Sequence, residues 1–442
     1  MRPGPALLTS LWALLALAVL ALCVKPFSAA AGELIDAAWI ALLGATAVTA
    51  LVDLAWASRR APTACNRQLS GILALGRPNP VTLTLENSGS GRMSGRLIDH
   101  YPQSMVSDDA VNHFALEAGA SVHCRYHVNP QQRGEFVFGR AELELDSPLR
   151  LWRLKQRGAV EEGVRVYPDF LALDSFQDAS LEKNAQRLGI HLQRRRGEGT
   201  EFLQLREFRE KDQLRQVDWK ASARVGKLIS REYHDQTDRE IIFLLDCGRR
   251  MHGVDGDLGH FDHCLNAMLL CAYFALRLGD RVGVCTFAGE ERWVAPVSHK
   301  LGIHRLLDQL YTLQTSPEST DFLEAAQTLA SRRSKRALVI VVTNVQAEDQ
   351  ADLDSALRVL GRRHAVMLAN LKEQELVEQR AESIHDHSQA LQYAVAEELL
   401  LGRERVLELA RRHNAWVVDS LPRHLHRALT EQYLSLKRAG SF

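Results

Sequence analysis

Residues Gly199–Met251 read GTEFLQLREFREKDQLRQVDWKASARVGKLISREYHDQTDREIIFLLDCGRRM, and this stretch decides the fold of the C-terminal half of the chain. Its first part is dense in charges of both signs and is interrupted by aromatic residues. Its last part contains Glu240–Asp246, an apolar segment that predicts a buried strand. Ligands of open α/β sheets bind outside the carboxyl ends of the strands, so Asp246 is the first candidate site residue.

The order of residues in this stretch resembles one bacterial family, domain of unknown function 58. The shared pattern is Gly-x-Glu-Phe, Leu-Arg-Glu-aromatic, Arg-x-Val-Asp-Trp-Lys-x-x-Ala-Arg, and a strand that closes in Asp-x-Gly-Arg. Its four parts lie at Gly199–Phe202, Leu205–Phe208, Arg215–Arg224 and Asp246–Arg249. The resemblance implies a von Willebrand factor type A-like domain in a membrane protein that works with a MoxR-type AAA+ ATPase.

The chain has 442 residues, with 54 Lys and Arg against 54 Asp and Glu. This length predicts more than one domain. A net charge of zero provides no general attraction to nucleic acid, so no nucleic-acid partner is expected. The seven cysteines are scattered without paired spacing, which is typical of a protein in a reducing cytoplasm.

Two apolar segments predict a transmembrane helical hairpin in residues 1–60. Pro5–Val24 carries no charge over a length that spans a hydrocarbon core of roughly 30 Å. Leu34–Trp56 follows at once, which favours a second span over a cleaved signal peptide, and Asp53 is expected at the membrane boundary. Basic residues flank both outer ends: Arg2, Arg59, Arg60 and Arg67. This bias predicts a two-span protein of the inner membrane, in contact with the lipid bilayer, whose soluble domains lie in the cytoplasm.

Residues 61–168 predict a β-sandwich domain. Short segments with alternating apolar and polar residues, such as VTLTLE at 81–86 and EFVF at 135–138, are separated by turn-forming residues. No spacing in this domain is typical of a catalytic site, so we expect a spacer or a docking surface. Residues 169–239 form a charged connector that carries the family motif.

Residues 240–442 predict an α/β domain. Apolar segments such as EIIFLLD at 240–246 and ALVIVVT at 337–343 alternate with amphipathic helices. This alternation indicates a mostly parallel sheet with helices on both faces. The resemblance names the domain more narrowly as a von Willebrand factor type A-like, Rossmann-like fold.

Domains of that type hold a divalent cation through an Asp-x-Ser-x-Ser loop, a threonine from a later loop, and an aspartate after a central strand. In this chain the first loop, Asp246–Arg250, reads DCGRR, with Gly248 and Arg250 at the serine positions. Thr320 keeps the threonine position, and Asn344 stands where the pattern requires aspartate. Because two hydroxyls and one carboxylate are lost, we expect a degenerate site that does not hold Mg²⁺.

The arginine at position 250 leaves two interpretations open. Its guanidinium can take the place of the cation and pair with Asp246, or it can face solvent. A zinc site is a further possibility, because several candidate ligands lie close together in sequence. They are His252, Asp255, Asp257, His260, Asp262, His263 and Cys264. Their spacing matches no closed zinc or calcium pattern, so a solvated turn that caps the following helix is favoured.

The family motif in the connector is the second candidate site. Interleaved charges and aromatic residues indicate either a partner-docking face or an ion-pair network that packs the connector against the sheet. The residues that form this candidate are Glu201, Arg206, Arg215, Asp218, Trp219 and Arg224.

The sequence contains no glycine-rich phosphate loop, no Gly-x-Ser-x-Gly elbow and no His-Glu-x-x-His motif. We therefore expect a membrane-anchored, non-enzymatic interaction or adaptor protein without catalytic residues or a cofactor. The resemblance implies that it works with the ATPase in assembly or maturation of protein complexes, or in envelope stress. The alternative is a divalent-metal-dependent binding protein or hydrolase that uses Asp246, Thr320 and the neighbouring histidines.

Overall fold

The computed structural model describes residues 2–24, 29–59, 64–89, 91–108, 111–169, 201–209, 214, 217–234, 239–256, 258–298 and 302–442. The chain divides into two compact units, Met1–Tyr167 and Pro168–Phe442. Much of the predicted connector, residues 170–200, lies outside the described residues, as does Arg60.

Two apolar helices open the first unit: α1 spans Pro5–Val24 and α2 spans Ala29–Ser58. The helices contact each other, and the indole Nε1 of Trp39 donates a hydrogen bond to the carbonyl of Leu14 at 2.9 Å. Among the described residues, one helix, Glu33–Ser58, is long and apolar enough to cross a membrane. This helix contains the predicted span Leu34–Trp56, whereas the other predicted span, Pro5–Val24, stays a prediction.

The rest of the first unit consists of short strands in three sheets, and we call residues 64–167 the sheet region. The strands are β1 (Arg2–Pro3), β2 (Ala64–Gln68), β3 (Ile72–Ala74), β4 (Asn79–Glu86), β5 (Met93–Ile98), β6 (Met105–Ser107), β7 (Val111–Leu116), β8 (Ser121–Pro130), β9 (Gly134–Phe138), β10 (Glu142–Asp146), β11 (Trp152–Arg157) and β12 (Glu162–Tyr167). The sheets have the orders β1-β11-β10-β5-β7, β2-β4-β8-β6 and β3-β12-β9. Val81, Leu83 and Leu85 of β4 are fully buried, as the alternation in this segment predicts.

The C-terminal part of α2 is fixed to the sheet region through Asp53. This carboxylate is fully buried and accepts hydrogen bonds from the hydroxyl of Ser147 and, at 3.0 Å, from the backbone N–H of Leu149. The indole N–H of Trp152 donates to the carbonyl of Ala50 at 2.8 Å. Asp53 therefore joins the helix to the sheet region, a contact that its position in the sequence did not indicate.

The residues before α1 are held at the same place. Strand β1 pairs antiparallel with the start of β11, and the N–H of Gly4 donates to the carbonyl of Leu151 at 2.7 Å. A Cβ on Gly4 would lie only 2.2 Å from the carbonyl oxygen of Arg150, so the close approach requires glycine. Both outer ends of the helix pair are thus attached to one edge of one sheet.

Arg67, one of the basic residues that flank the predicted second span, is a buried structural residue. Its side chain is 1% exposed, and its guanidinium pairs with the carboxylate of Asp99. It also donates to the carbonyl of Gly139 at 2.6 Å, and the hydroxyl of Tyr126 donates to the same carboxylate. Arg67 therefore contributes no free positive charge near a membrane surface.

The second unit contains a six-stranded sheet with the order β19-β18-β15-β20-β21-β22. The strands of this unit are β13 (Glu201–Glu207), β14 (Ile229–His234), β15 (Glu240–Asp246), β16 (Val254–Asp255), β17 (Leu258–Gly259), β18 (Arg281–Phe287), β19 (Trp293–Val297), β20 (Leu338–Thr343), β21 (Ala365–Leu371) and β22 (Trp416–Ser420). All neighbours in the six-stranded sheet are parallel except β18 and β19. The predicted mostly parallel sheet is therefore present.

Helices cover the two faces of this sheet. The helices of this unit are α3 (Trp219–Val225), α4 (His260–Arg277), α5 (Gly302–Leu310), α6 (Phe322–Arg332), α7 (Gln350–Gly361), α8 (Gln374–Ala381), α9 (His387–Arg412) and α10 (Pro422–Ala439), of which α3 belongs to the family motif. On one face Ile242 and Leu244 of β15 pack with residues of α6, α7 and α9. Helix α4 contacts β15, β18 and β20, and α10 packs against α4. The chain order of these elements places the ends of β15, β20, β21 and β22 along one edge, which we call the carboxyl edge.

Candidate functional site

Asp246 ends β15 at the carboxyl edge, and its carboxylate is fully buried. It accepts hydrogen bonds from the N–H of Gly248 at 2.8 Å, the hydroxyl of Thr343 at 2.6 Å and the hydroxyl of Thr320 at 3.1 Å. Burial raises the pKa of Asp246, and these hydrogen bonds and the charge of Arg250 oppose that rise. The structure thus brings Thr320 to Asp246, but as a donor to the carboxylate.

The loop leaves no room for the first missing serine. A Cβ built on Gly248 would lie 2.9 Å from the hydroxyl oxygen of Thr320, and 3.1 Å from both the Cβ of Ala288 and Oδ1 of Asp246. Ala288 has a φ of 58°, a conformation that few non-glycine residues adopt, so its backbone is held by its surroundings. The glycine at position 248 is therefore required by the packing of three separate loops.

Arg250 neither bonds to Asp246 nor faces solvent. Its guanidinium forms a two-pronged ion pair with Asp349, in which Nη2 lies 2.8 Å from Oδ1 and Nη1 contacts Oδ2. Nη1 also donates to the carbonyl of Asn344 at 3.2 Å. The side chains of Arg250 and Asp349 are 8% and 6% exposed. Both interpretations drawn from the sequence are therefore wrong. Asp349, which follows the neighbouring strand β20, accepts hydrogen bonds from the guanidinium. Arg250 acts on Asp246 through its charge alone.

Asn344 has a partner that explains why it is not an aspartate. Its side-chain amide donates to the carboxylate of Glu373 at 2.6 Å, a contact that a second carboxylate would turn into repulsion. Further along the same edge, Asn370 donates to Asp419 at 2.9 Å, and Arg403 pairs with that carboxylate. Hydrogen bonds and ion pairs therefore run along the ends of β15, β20, β21 and β22.

This donor set does not fit a divalent cation. Mg²⁺ requires several oxygen ligands with available lone pairs in a nearly octahedral arrangement. The three positions of the cation pattern that would supply oxygens instead hold Gly248, the cationic Arg250, and Asn344, whose amide faces Glu373. Within the described part of the chain, no group of three or more His, Cys, Asp or Glu side chains is arranged to hold a metal ion.

The residues of the proposed zinc cluster lie around the small antiparallel strand pair β16–β17, with His252 before it and His260, Asp262, His263 and Cys264 after it. Nε2 of His260 lies 3.6 Å from the carboxylate of Asp255, and Nε2 of His263 lies 3.5 Å from the carbonyl of the same residue. Asp257 lies outside the described residues. The expected side-chain cap of the following helix is wrong, because the N-cap of α4 is Gly259, which has no side chain to accept a hydrogen bond.

The family motif folds as the strand pair β13–β14 with the short helix α3 between them. Asp218 is the N-cap of α3 and accepts hydrogen bonds from the N–H groups of Lys220 and Ala221 at 3.1 and 3.0 Å. Gly226 ends the helix in the left-handed conformation, with a φ of 73°. Asp218 therefore has a structural role in this motif.

Other motif residues point outward. Trp219 is 65% exposed and Val225 is 61% exposed, and Arg224 is also exposed. Arg206 lies in β13 and its Nη1 donates to the carbonyl of Glu207 at 3.1 Å. The remaining candidates are Glu201, which begins β13, and Arg215, which lies outside the described residues. The motif thus combines a capped helix with an exposed tryptophan and arginine.

Residues 204–416 match the family described as "Protein of unknown function DUF58". This region of the chain belongs to the DUF58 family. The matched region begins within β13 and reaches the first residue of β22, so it includes both candidate sites of this DUF58 protein except Glu201. No curated protein matches the chain.

Solved structures resemble parts of this DUF58 protein at low sequence identity. An aerotolerance-related membrane protein from Bacteroides fragilis is 15% identical, with a TM-score of 0.27, and the match covers 45% of this chain and 98% of that chain. The PapD-like domain 7 of human CEP192 is 12% identical, with a TM-score of 0.18, over 23% of this chain and 84% of that chain. A likeness of this size does not establish a shared function.

Two residues of the carboxyl edge were not recognised from the sequence of this DUF58 protein. Thr343 ends the apolar run of β20, one position beyond the register pair of Leu245 and Val342, so it lies beside Asp246. Asp349 follows Gln346 by three residues, which is the spacing of a helix cap, and its carboxylate accepts from the N–H of Gln346 at 2.7 Å. The position of Thr343 at a strand end and the cap spacing of Asp349 are the sequence features by which the two residues could have been found.

Arg250→Ala is expected to destabilise the second unit by about 3 kcal/mol, because it leaves the carboxylate of Asp349 buried without its partner. Native-state hydrogen exchange of the β15 and β20 peptides in the solubilised full chain measures the effect. The control is Arg249→Ala at the exposed neighbouring position, which should change the stability by less than about 0.5 kcal/mol. Equal exchange in the two variants would contradict a stabilising pair.

Gly248→Ser is expected to cost about 1–3 kcal/mol, because the new side chain must displace Thr320 or Ala288. Thermal unfolding with and without Mg²⁺ checks both stability and metal binding. The control is Gly361→Ser at the end of α7, where a Cβ meets nothing within 4 Å. A variant as stable as the wild type that gains a Mg²⁺-dependent shift would show that the donor set does accept a cation.

Asp246→Asn removes a titration whose folded pKa lies above the ordinary value of 3.8 because the carboxyl group is buried. A raised folded pKa favours the protonated folded state. Wild type should therefore gain stability relative to Asp246→Asn as the pH falls through the folded pKa toward 3.8, by about 1.4 kcal/mol per unit of pKa difference. Unfolding midpoints of both proteins from about pH 7 to about pH 4 test this. A stability difference that does not vary with pH would refute the raised pKa.

Proposed function

We propose that this DUF58 protein is a membrane-anchored, non-enzymatic adaptor that docks to a MoxR-type AAA+ ATPase. The observation that carries the proposal is a contrast within the family region. Hydrogen bonds and ion pairs fill the carboxyl edge from within, whereas the family motif exposes an aromatic and a cationic side chain. Binding through the motif face is therefore favoured over chemistry at the strand ends.

The filled carboxyl edge supports a non-enzymatic role. A general acid or base must reach the proton that it transfers, and a nucleophile must reach the atom that it attacks. The carboxylate of Asp246 is fully buried and accepts hydrogen bonds from three residues of the chain itself. The guanidinium of Arg250 is likewise engaged by Asp349. Neither group is presented to a substrate.

The motif face has the composition of a protein-binding surface. Trp and Arg are the residues that most often dominate the energy of protein interfaces, and Trp219 and Arg224 both lie exposed on α3. Val225 and Leu228, 61% and 47% exposed, extend the apolar surface. Asp218 holds α3 in place by capping it, so these side chains are presented on an ordered element.

The first unit supports a two-span membrane anchor. Both outer ends of the α1–α2 pair attach to β11 or to the turn that precedes it, so both ends must lie on the same side of a membrane. A helical hairpin has this property, whereas a single span does not. Arg2 and Arg59 are exposed at these ends, which favours the cytoplasmic side of the inner membrane.

The proposal extends to the folds of the two soluble parts. The sheet region forms a β-sandwich, which lies between the anchor and the family region in the sequence. The six-stranded sheet forms a von Willebrand factor type A-like domain whose cation site is degenerate, since Gly248, Arg250 and Asn344 occupy ligand positions. In such a protein the ATPase supplies the energy of assembly or maturation, and the adaptor supplies membrane attachment and partner choice.

The test is co-purification of a AAA+ ATPase, identified by mass spectrometry, with the cross-linked full chain from native membranes. Trp219→Ala and Arg224→Glu should each reduce its recovery at least several-fold. Both positions are exposed, so the second unit should remain folded. Charge change alone is controlled by Arg336→Glu, at an exposed position beside the opposite edge of the sheet, which should recover the ATPase as wild type does.

If the ATPase is recovered equally with all variants, the motif face is not its docking site. If no AAA+ ATPase accompanies the wild-type chain, the partner itself is wrong.

A further inference from the structure

The turn Ser147–Leu151 lies where the two apolar helices meet the sheet region. The N–H of Leu149 is bonded to the carboxylate of Asp53 on α2, and the carbonyl of Leu151 is bonded to the N–H of Gly4, one residue before α1. The turn is therefore level with the first residue of α1 and with the penultimate turn of α2.

Helix geometry locates this level relative to a bilayer. From Glu33 to Asp53 the helix rises by about 30 Å, which is the thickness of a hydrocarbon core. If Glu33 marks one boundary of the core, Asp53 and the turn bonded to it lie at the other. Trp56 lies one turn beyond Asp53, which is the depth where tryptophans are enriched in membrane proteins. Its side chain is 61% exposed.

The side chains at this level have the chemistry of a membrane interface. Leu149 is 51% exposed, although its backbone is fixed by Asp53. Arg150 follows it with an exposed side chain and a φ of 57°. Arg2 is exposed in β1, which pairs with β11, and Arg59 is exposed directly after α2. Among the described residues of the sheet region, none forms a hydrogen bond or ion pair with the side chain of Leu149 or Arg150.

The pairing of β1 with β11 adds an independent argument for an anion. Arg2 lies directly opposite Arg153 in this antiparallel pair. Two like charges in such a position destabilise the pairing. Arg153 is partly neutralised by Asp146, whose carboxylate lies 3.3 Å from its Nε, and Arg2 interacts with the charge of Glu142, but Arg150 and Arg59 add to the positive charge. A negatively charged ligand would relieve this repulsion.

We propose that the turn Ser147–Leu151 is a lipid-binding site, in which Leu149 inserts at the boundary of the acyl chains and Arg150, Arg2 and Arg59 bind the phosphate groups of anionic phospholipids. This inference rests on the membrane anchor of the proposed function and adds a specific contact of the sheet region with the bilayer. The site holds the sheet region against the membrane in one orientation.

The depth of the turn is measured on the full chain in nanodiscs. A Cys23→Ser background removes the exposed native thiol, and an environment-sensitive fluorophore is attached through Leu149→Cys. The matched probe is Val160→Cys, which is 74% exposed just beyond the far end of β11. We expect the Leu149 probe to emit at shorter wavelength and to be quenched several-fold more strongly by lipids with a nitroxide in the upper acyl chain.

The charge of the ligand is tested by native mass spectrometry of lipids retained from bilayers that mix phosphatidylglycerol with phosphatidylcholine. Wild type should retain phosphatidylglycerol preferentially, and Arg150→Gln should lose most of this preference. Glutamine keeps the length of the side chain without its charge. The control is Arg157→Gln, at an exposed arginine at the far end of β11, which should behave as wild type.

The outcomes separate this inference from the anchor on which it rests. If alkaline carbonate releases the chain from vesicles, the anchor is wrong and the lipid site falls with it. If the chain is retained but the Leu149 probe behaves like the Val160 probe, the lipid site alone is overturned. If the probe is buried but Arg150→Gln retains the same lipids as wild type, the assignment of anionic headgroups is overturned.

Discussion

The carboxylate of Asp246 is the constraint around which the carboxyl edge of the sheet is built. A buried ionised group is stable only when hydrogen bonds and opposite charges replace the water that it has lost. The loop after β15, the end of β20 and the segment before α6 each supply one donor. One side chain thereby joins three segments that are far apart in sequence.

The same constraint explains why the positions of the cation pattern differ together. Gly248 leaves no room for a hydroxyl, Arg250 brings a positive charge toward Asp246, and Asp349 neutralises that charge. Asn344 avoids a carboxylate beside Glu373. Each replacement fits its neighbours, so restoring one ligand position would disturb the others without completing the set. An arrangement of this kind is a stable alternative to a cation site.

Local patterns in the sequence predicted the parallel sheet and the burial of β15, because apolar periodicity determines them. The family resemblance, and no local pattern, implied that Thr320 lies near Asp246. The partner of Arg250 could not be predicted in this way. Asp349 is 99 positions away, and the backbone path after β20 decides which carboxylate the guanidinium reaches. Arg67 and Asp53 show the same limit: their places in the sequence suggested a membrane boundary but did not reveal the tertiary contacts that bury both side chains.

Asp53 and Asp246 are buried carboxylates that are held by the same kind of hydrogen bonding in two different parts of the chain. Each lies near the C-terminal end of an apolar element, is fully buried, and accepts from a backbone N–H and a hydroxyl of a neighbouring segment. At Asp246 these hydrogen bonds join the loop after β15 to the end of β20 and to the segment before α6. At Asp53 they join a membrane-type helix to the sheet region, so that the two cannot rotate freely against each other. In the proposed membrane anchor, this buried carboxylate fixes the orientation of the sheet region relative to α2.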